Sequence, residues 1–400
     1  MNKLCDSREF YAPGRTELAG NHTDHNNGRV LAAAIELHIA ANAQKTDDNA
    51  VYFNSAGFPD VKIKLTDNNG KYDLQMKPEE TGTTDALIRG IAAEFNRRGY
   101  SIGGFRASAE SSVLPGSGLS SSAAAETLII RIFDSLYGNG KLNITEIAQI
   151  GQIAENAYFG KPCGLMDQIA CAVGGAVSID FADAENPIIK KINFNPEEAG
   201  YALCIVNTGG SHADLTADYA LIPKEMKAVA GFFNKSVLRE TDKETILSRA
   251  ADIRKKLGDR ALLRAIHFFD ENSRVEDMTS LLAEMENASS DTEKQALFFN
   301  YLNLVNESGN SSQELLQNIF SSSDFMNQGI NTALALTKDF FHKNKLKGAC
   351  RVHGGGFAGT IQVYIPKDAI GAYNACMEAI FGAGAVTELK ISLKGAIEIK

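Results

Sequence analysis

Residues 30–43 are apolar almost without interruption, and the run predicts a strand or a pair of strands. Further on, the pattern predicts a helix over 85–98, capped by Thr84 and stopped by Gly99, and a strongly apolar helix over 123–136. Thr145 is the predicted cap of an amphipathic helix that runs to residue 158. Asn68-Asn-Gly70 marks a hairpin-like region. Strands are expected at 176–181, 201–206 and 360–365, and an alternating final strand at about 388–399. From about 215 to 345 the pattern is mostly helical, with clear helices at 260–275 and 331–343, and another helix follows near 369–381. No repeat, low-complexity tract or sharp linker breaks the chain. A length of 400 residues is long for a single core, so two domains of roughly 200 residues each are expected.

Composition narrows the class. A hydrophobic share of 44% with no run long enough to cross a bilayer excludes a membrane span, and the first residues lack the apolar region of a cleaved signal, which points to the cytoplasm. The net charge of -9, without a Lys/Arg cluster, argues against a nucleic-acid partner and for a small-molecule substrate. Cysteines 5, 163, 171, 204, 350 and 376 lack zinc spacing and read as buried thiols of a reducing compartment.

The candidate chemistry sits in loops. Val113-Leu-Pro-Gly-Ser-Gly-Leu-Ser-Ser-Ser-Ala123 sets two glycines and three serines in front of the apolar helix. Such a loop is either an ordinary Ser-capped helix start or an anion cradle, in which glycines let backbone approach a phosphate and the helix N–H groups bind it. No Lys-Ser or Lys-Thr completes a P-loop, no third glycine completes a dinucleotide fingerprint, and the His-Arg-Asp and Asp-Phe-Gly triplets of protein kinases are missing. Upstream, the Gly-punctuated loop 12–28 carries Arg15, Asn21, His22, Asp24 and His25, donors and acceptors suited to sugar hydroxyls. His22 and His25 lack a third ligand at matching spacing, which argues against zinc. Glu155 lies on the helix after Thr145, where a lone Glu is ordinarily a solvated carboxylate. Asp167 follows the Pro/Gly turn Lys161-Pro-Cys-Gly164, as an N-cap or a general base. A second glycine cluster, Arg351-Val-His-Gly-Gly-Gly-Phe-Ala-Gly359, marks a close backbone approach before a strand.

Taken together, the segments Gly14-Arg-x-x-Leu-x-Gly-x-His-Thr-Asp24, Pro115-Gly-x-Gly-Leu-Ser-Ser-Ser-Ala123 and Gly354-Gly-Gly-Phe-x-Gly359 resemble the galactokinases, in the right order. So do Cys163-Gly-x-Met-Asp-Gln168 and Arg264-x-x-His267 with Glu271-Asn-x-Arg274. That family belongs to the superfamily of galactokinase, homoserine kinase, mevalonate kinase and phosphomevalonate kinase. The resemblance implies an α+β fold in two domains. Residues 1–200 would form a ribosomal-protein-S5-like domain and residues 201–400 a domain with a ferredoxin-like core, with the active site between them.

By the same resemblance Asp167 and Arg15 are the catalytic pair, and Asn21, His22, Thr23, Asp24, Gly164 and Tyr219 hold the sugar. Ser55, Gly116, Ser117, Gly118, Leu119, Ser120, Ser121 and Ser122 contact ATP, with Ser122 and Glu155 at a Mg2+ ion, directly or through water. Gly355 and Gly356 would line the cleft. A monomer acting on ATP and a galactose-like monosaccharide is implied.

The chain departs from that family's pattern on the sugar side. Galactokinases usually read Gly-Glu-His-Thr-Asp-Tyr, where this chain reads Gly20-Asn-His-Thr-Asp-His25. The family's Glu contacts the C6 hydroxyl, and an Asn there would also admit a C6 carboxylate. Plant galacturonokinases resemble the chain at both positions. Paired arginines that galactokinases tend to carry after the tyrosine are replaced by Ala-Leu-Ile-Pro-Lys224. The expected activity is galactose 1-phosphorylation. Galacturonate 1-phosphorylation is the enzymatic alternative, and a non-catalytic sugar and ATP sensor the alternative of another class.

Overall fold

The strands divide between two sheets. The computed structural model describes residues 7–114, 116–161, 163–210 and 215–399, so Cys5, Pro115 of the Ser loop, Pro162, Ser211 and His212 lie outside the described residues. The first sheet holds β1 (Arg8–Ala19), β2 (Arg29–Lys45), β3 (Ala50–Ser55), β4 (Val61–Lys64), β5 (Phe105–Ser111), β6 (Ala176–Asp180) and β7 (Ile188–Ile192). The second holds β8 (Tyr201–Asn207), β9 (Ala349–His353), β10 (Thr360–Pro366) and β11 (Val386–Leu389), while β12 (Ile397–Ile399) rejoins the first. In chain order the helices are α1 (Thr84–Arg97), α2 (Ser121–Phe133), α3 (Ile144–Ile153), α4 (Met166–Val173), α5 (Thr216–Phe232), α6 (Lys243–Ser248), α7 (Ala250–Leu257), α8 (Asp259–Asn287), α9 (Asp291–Ser311), α10 (Gly329–Lys343) and α11 (Ile370–Phe381).

The apolar run at 30–43 is one strand. β2 pairs with β1 on one side; on the other its first residues pair with β6 and its last with β5. Consecutive residues of β1 from Tyr11's neighbour Ala12 to Ala19, and of β2 from Val30 to Ile35, are buried apart from partners within the strands, because helices cover both faces. Beyond Ile39 burial alternates, and there one face is left less covered.

The second sheet has the order β11-β8-β10-β9, all antiparallel. With α10 before β9 and α11 between β10 and β11, this is the ferredoxin-like arrangement, into which α5 to α9 are inserted after β8. The largest apolar core joins both halves of the chain, uniting Phe10, Phe95 and Phe133 with Phe298, Tyr301 and Tyr364.

Local chemistry corrects several expected boundaries. Thr83, not Thr84, caps α1, its hydroxyl accepting from Ala86 N. Asn143 and Glu146 form a reciprocal capping box on α3, so Thr145 lies inside the helix. The helix expected over 123–136 starts at Ser121 and ends in a π turn, Asp134–Gly138. Its N-cap Ser120 has φ 56° and makes no side-chain cap. The helix expected at 260–275 extends through α8 to Asn287. The expected final strand is two strands in different sheets, β11 and β12. Between them Gly395 passes so close to α4 that a Cβ there would lie 2.1 Å from Ala172 O. Asn68 to Gly70 turn between Thr66 and Tyr72, which form an isolated bridge. Cys163, Cys171, Cys204, Cys350 and Cys376 are free thiols, of which Cys163 and Cys376 are only partly buried rather than core residues.

Candidate active site between the two sheets

Gly14 sits at a register shift in β1, where the strand meets the Ser loop. A Cβ on it would stand 2.7 Å from Leu119 O, so only glycine lets the loop lie against the strand. The next residue fastens the contact: Arg15 N donates to Leu119 O at 3.1 Å and its Nη1 to Gly118 O at 2.5 Å. The rest of the guanidinium clamps Asp167, Nε to Oδ1 at 2.7 Å and Nη2 to Oδ2 at 2.8 Å. Ser120 completes the set, its hydroxyl donating to Asp167 Oδ2 at 2.5 Å. Asp167 itself projects from the first turn of α4, as a clamped carboxylate rather than an N-cap. Burial would raise its pKa, but Arg15, Ser120 and Lys161 outweigh that and hold it below the usual carboxylate range.

The loop is also held from the second sheet. Thr360 Oγ1 donates to Ser117 O at 3.2 Å, and a Cβ on Gly118 would lie 3.1 Å from His353 Nδ1. Gly116 and Gly118 both have positive φ, as a backbone folded around an anion requires. Ser117 and Leu119 are buried, and the Ser117 hydroxyl donates to Leu114 O, so these two residues offer a ligand backbone only. Ser121 and Ser122 open α2 and are partly exposed. Ser55 ends β3 beside Ala109 of the parallel β5, the strand that leads into the loop, and so lies at the same edge.

The sugar loop differs from expectation at three positions. Asn21 is 1% exposed and spends its amide inside the protein. Its Nδ2 donates to Glu17 Oε1 (3.1 Å) and Gly354 O (2.7 Å), and its Oδ1 accepts from Asn318 Nδ2 (2.8 Å). Thr23 is buried, donating to Gly20 O and Arg29 O. Both His22 nitrogens are engaged as well, Nε2 with Gly355 O at 2.9 Å and Nδ1 with His25 Nε2 at 3.3 Å. Since Asn26 Nδ2 donates to His25 Nδ1, donors run one way from Asn26 through both rings to Gly355, with each ring neutral. Burial depresses both imidazoles, His22 to about 4. These three side chains are therefore structural here: a sugar hydroxyl would have to displace a protein partner from each.

Asp24 is different. Its carboxylate accepts from His25 N at 2.9 Å and lies against Gly164, where a Cβ would meet Oδ2 at 1.8 Å. Burial, then the charge of Asp167, push its pKa up to about 6. Two carboxyl groups and a glycine thus share one partly exposed wall. On the glycine loop that His22 also contacts, Tyr219 donates to Gly356 O at 2.9 Å, and its ring fills the space a Cβ on Gly355 would need.

Behind the sugar loop α8 acts as a buckle. Glu271 accepts from Gly20 N, His267 Nε2 bonds Asn21 O, and Asn272 accepts from Arg29 N. Burial alone would raise Glu271, but Arg274, His267, Arg351 and the Ser308 hydroxyl hold it at about 2. The sequence marks this segment only as a family-like motif, Arg264-x-x-His267 with Glu271-Asn-x-Arg274; the i, i+4 spacing of His267 and Glu271 is the local signal that they share one face of the helix.

Glu155 lies in a π turn, Ala154–Phe159, and accepts from Lys161 Nζ at 2.9 Å and Gln168 Nε2 at 3.2 Å. Gln168 Nε2 also donates to Glu126 Oε2 at 2.9 Å. Glu126 is fully buried and, among the described residues, its Oε1 has no partner. Burial, then Glu155, raise its pKa well above the usual range. Among the described residues no three His, Cys, Asp or Glu side chains are arranged to hold a metal. Magnesium asks for less than that, one or two protein oxygens with water and phosphates supplying the rest, and a hydroxyl at Ser122 with a carboxylate at Glu155 fits. The sequence marks Glu126 only as the one carboxylate of α2, in an otherwise apolar stretch.

Comparison with known proteins places this geometry. Residues 86–175 match the family model of the GHMP kinases N terminal domain, and residues 5–45 match the galactokinase galactose-binding signature. The fold agrees: a galactokinase from Lactococcus lactis, solved in complex with galactose, superposes with TM-score 0.79 at 22% identity over 98% of this chain and 95% of that one. Mevalonate kinase from Methanococcus jannaschii superposes with TM-score 0.61 at 14% identity, over 97% and 99% of the two chains. Fold and site together define a GHMP-type small-molecule kinase. Within that class the chain belongs to the galactokinase family, being 30% identical over 366 residues to the galactokinase of Actinobacillus succinogenes, 90% of this chain and 86% of that one. It is 29% identical over 374 residues to the galactokinase of Glaesserella parasuis, covering 92% and 88%.

Proposed function

We propose that the protein transfers the γ-phosphoryl group of ATP to the anomeric C1 hydroxyl of galactose, giving galactose 1-phosphate and ADP. One observation carries the reading: Asp167 is clamped by Arg15 and touched by Ser120 of the Gly/Ser loop, so an acceptor-side anion and a phosphate-side backbone meet at one point. Membership of the galactokinase family supports galactose as the sugar. The case for galacturonate rested on Asn21 facing C6 and on His25; the Asn21 amide is spent on Glu17, Gly354 and Asn318, and the His25 ring nitrogens are engaged by His22 and Asn26.

In this reading the N–H groups at Gly116 to Ser122 hold the phosphates of ATP, with Ser55 at the nucleotide's edge of the sheet. Ser122 and Glu155 hold Mg2+, which neutralises phosphate charge when bound. Asp24, Gly164 and Tyr219 form the sugar wall. The C1 hydroxyl replaces Ser120 at Asp167 and attacks the γ-phosphorus. A bond forms from the sugar oxygen to phosphorus as the bond to the β–γ bridging oxygen breaks, and the hydroxyl proton passes to the Asp167 carboxylate. A carboxylate stabilised by Arg15 is a weak base. Its main contribution is therefore to orient the hydroxyl, while Arg15 also neutralises charge on the transferring group. Residues 1–200 supply the loops and Asp167, and residues 201–400 close the site with Tyr219 and the glycines at 354–356. The enzyme is read as a cytoplasmic monomer.

Purified protein in an ATP-consumption assay tests this. The expected result is the highest kcat/KM with galactose among galactose, galacturonate, N-acetylgalactosamine and arabinose, and loss of turnover in Asp167→Ala with ATP binding kept. A tenfold preference for galacturonate overturns the sugar assignment. Saturable sugar binding without any turnover replaces the enzyme by a sugar and ATP sensor.

A further inference from the structure

Glu126 has no role in the reading above, yet its surroundings are built for it. It stands one helical turn after Ser122, on the same face of α2. Its Oε2 takes one hydrogen of the Gln168 amide at 2.9 Å, and the other points to Glu155 Oε2 at 3.2 Å, so a single amide nitrogen ties the two carboxylates. Gly151 of α3 makes room for the arrangement: a Cβ there would come within 3.0 Å of Gln168 Cγ and 3.1 Å of Glu126 Oε2. Gln168 directly follows Asp167 in the first turn of α4. Among the described residues Glu126 Oε1 and Gln168 Oε1 are buried without a partner, and the further acceptor near the Gln168 amide, Cys163 Sγ at 3.6 Å, is a weak one.

We propose that Glu126 is a positioning residue of the kinase site, which through the Gln168 amide sets the direction of the Glu155 carboxylate and steadies the turn of α4 that presents Asp167. Without it, the amide hydrogen that Glu126 takes is left with Cys163 Sγ, a weak acceptor at 3.6 Å, and the amide turns to recover a better partner, dragging Glu155 from the place where it would meet the metal. Lys161 holds the other oxygen of Glu155 but is 61% exposed, and cannot fix the carboxylate alone. What matters in Glu126 is an acceptor oxygen at the right reach rather than its charge. This inference rests on the proposed ATP and Mg2+ reading, and its test is chosen to be separable from it.

Two substitutions divide reach from charge. Glu126→Gln keeps the length and an acceptor oxygen but removes the charge, whereas Glu126→Asp keeps the charge and withdraws it by one methylene. The first measurement is binding of Mn2+ to the complex with a non-hydrolysable ATP analogue, followed by electron paramagnetic resonance with no sugar present. Its outcome does not depend on whether the wild type phosphorylates galactose. Glu126→Asp is expected to weaken Mn2+ about 10–100-fold, the usual cost of losing a partner that orients a ligand, and Glu126→Gln to stay within about threefold of wild type. In turnover, Glu126→Asp should lower kcat while the sugar KM holds within about twofold. Thermal midpoints of both variants are read alongside, and Gln retaining Mn2+ binding while Asp loses it supports the proposal even if both melt earlier. Loss in Glu126→Gln equal to or greater than that in Glu126→Asp, or unchanged Mn2+ binding in both, overturns it.

Discussion

At the scale of single residues the site turns on which polar groups are already spent. Asn21 looked like the residue that reads the sugar, and it is instead a buried connector between Glu17 and the glycine loop. Asn21→Glu would put a second carboxylate beside Glu17, where among the described residues Arg351 is the one cation paired with it. The expected result is not a switch in sugar preference but a lower thermal midpoint, a cost of about 3 kcal/mol or more for a buried unpaired charge. Calorimetry with the galactose-to-galacturonate ratio of kcat/KM checks this. A stable variant with a shifted ratio would restore the specificity role. Asp24 carries the opposite prediction. Its pKa is raised to about 6 by burial and by Asp167, so it loses its charge as the pH falls through 6, while Asp167, held below the usual range, stays ionised in that window. If ionised Asp24 accepts sugar hydroxyls, kcat/KM for galactose falls about tenfold per pH unit below 6 and levels off above it. Asp24→Asn should bind sugar weakly at all pH values and lack that limb.

Elements set where those residues stand. The start of the Ser loop is shaped less by its serines than by Gly14, whose missing side chain lets β1 and the loop touch. Gly14→Ala, with a Cβ 2.7 Å from Leu119 O, should push the loop off Arg15 and raise the KM for ATP about tenfold or more, while circular dichroism stays native. An unchanged KM for ATP would detach the loop from the nucleotide. Helix ends show the same division of labour. Thr83 and Asn143 cap by local hydrogen bonds that a sequence window contains, and the expected boundaries miss them by only a residue or two. Ser120 leaves its helix uncapped because Asp167, distant in sequence, takes its hydroxyl.

For the whole molecule, the return of the chain to its beginning is decisive. β12 pairs with β1 as Ile397, Glu398 and Ile399 meet Tyr11, Phe10 and Glu9, and Arg131 Nε donates to Ala396 O at 2.8 Å. That path passes Gly395, held against Ala172 O. Gly395→Ala should therefore break the return, lowering the thermal midpoint and removing hydrogen-exchange protection at Glu9 to Tyr11. Protection equal to wild type would mean that the chain returns to β1 without a glycine at 395. No described helix is long and apolar enough to cross a membrane.

By itself the sequence determined the main helices, β2, β6, β8 and β10, the five motifs and the family they resemble, because apolar spacing, glycine placement and short polar segments are local properties that survive in a string of letters; it did not show β1, whose polar and glycine-rich residues read as a loop, nor the short strands β3, β4, β5 and β7. The resemblance implied that Arg15 and Asp167 act as a pair; the hold of the Ser loop on both of them, the burial of Asn21, the buckle made by α8 and the tie from Glu126 to Glu155 were decided only by tertiary structure. Each depends on which side chain reaches a partner first in a dry interior, and apart from Glu17, four residues from Asn21, those partners lie more than ten and up to hundreds of residues apart. The alternating end of the chain is the plainest case: its pattern announced strand, and only packing against α4 divided it between two sheets.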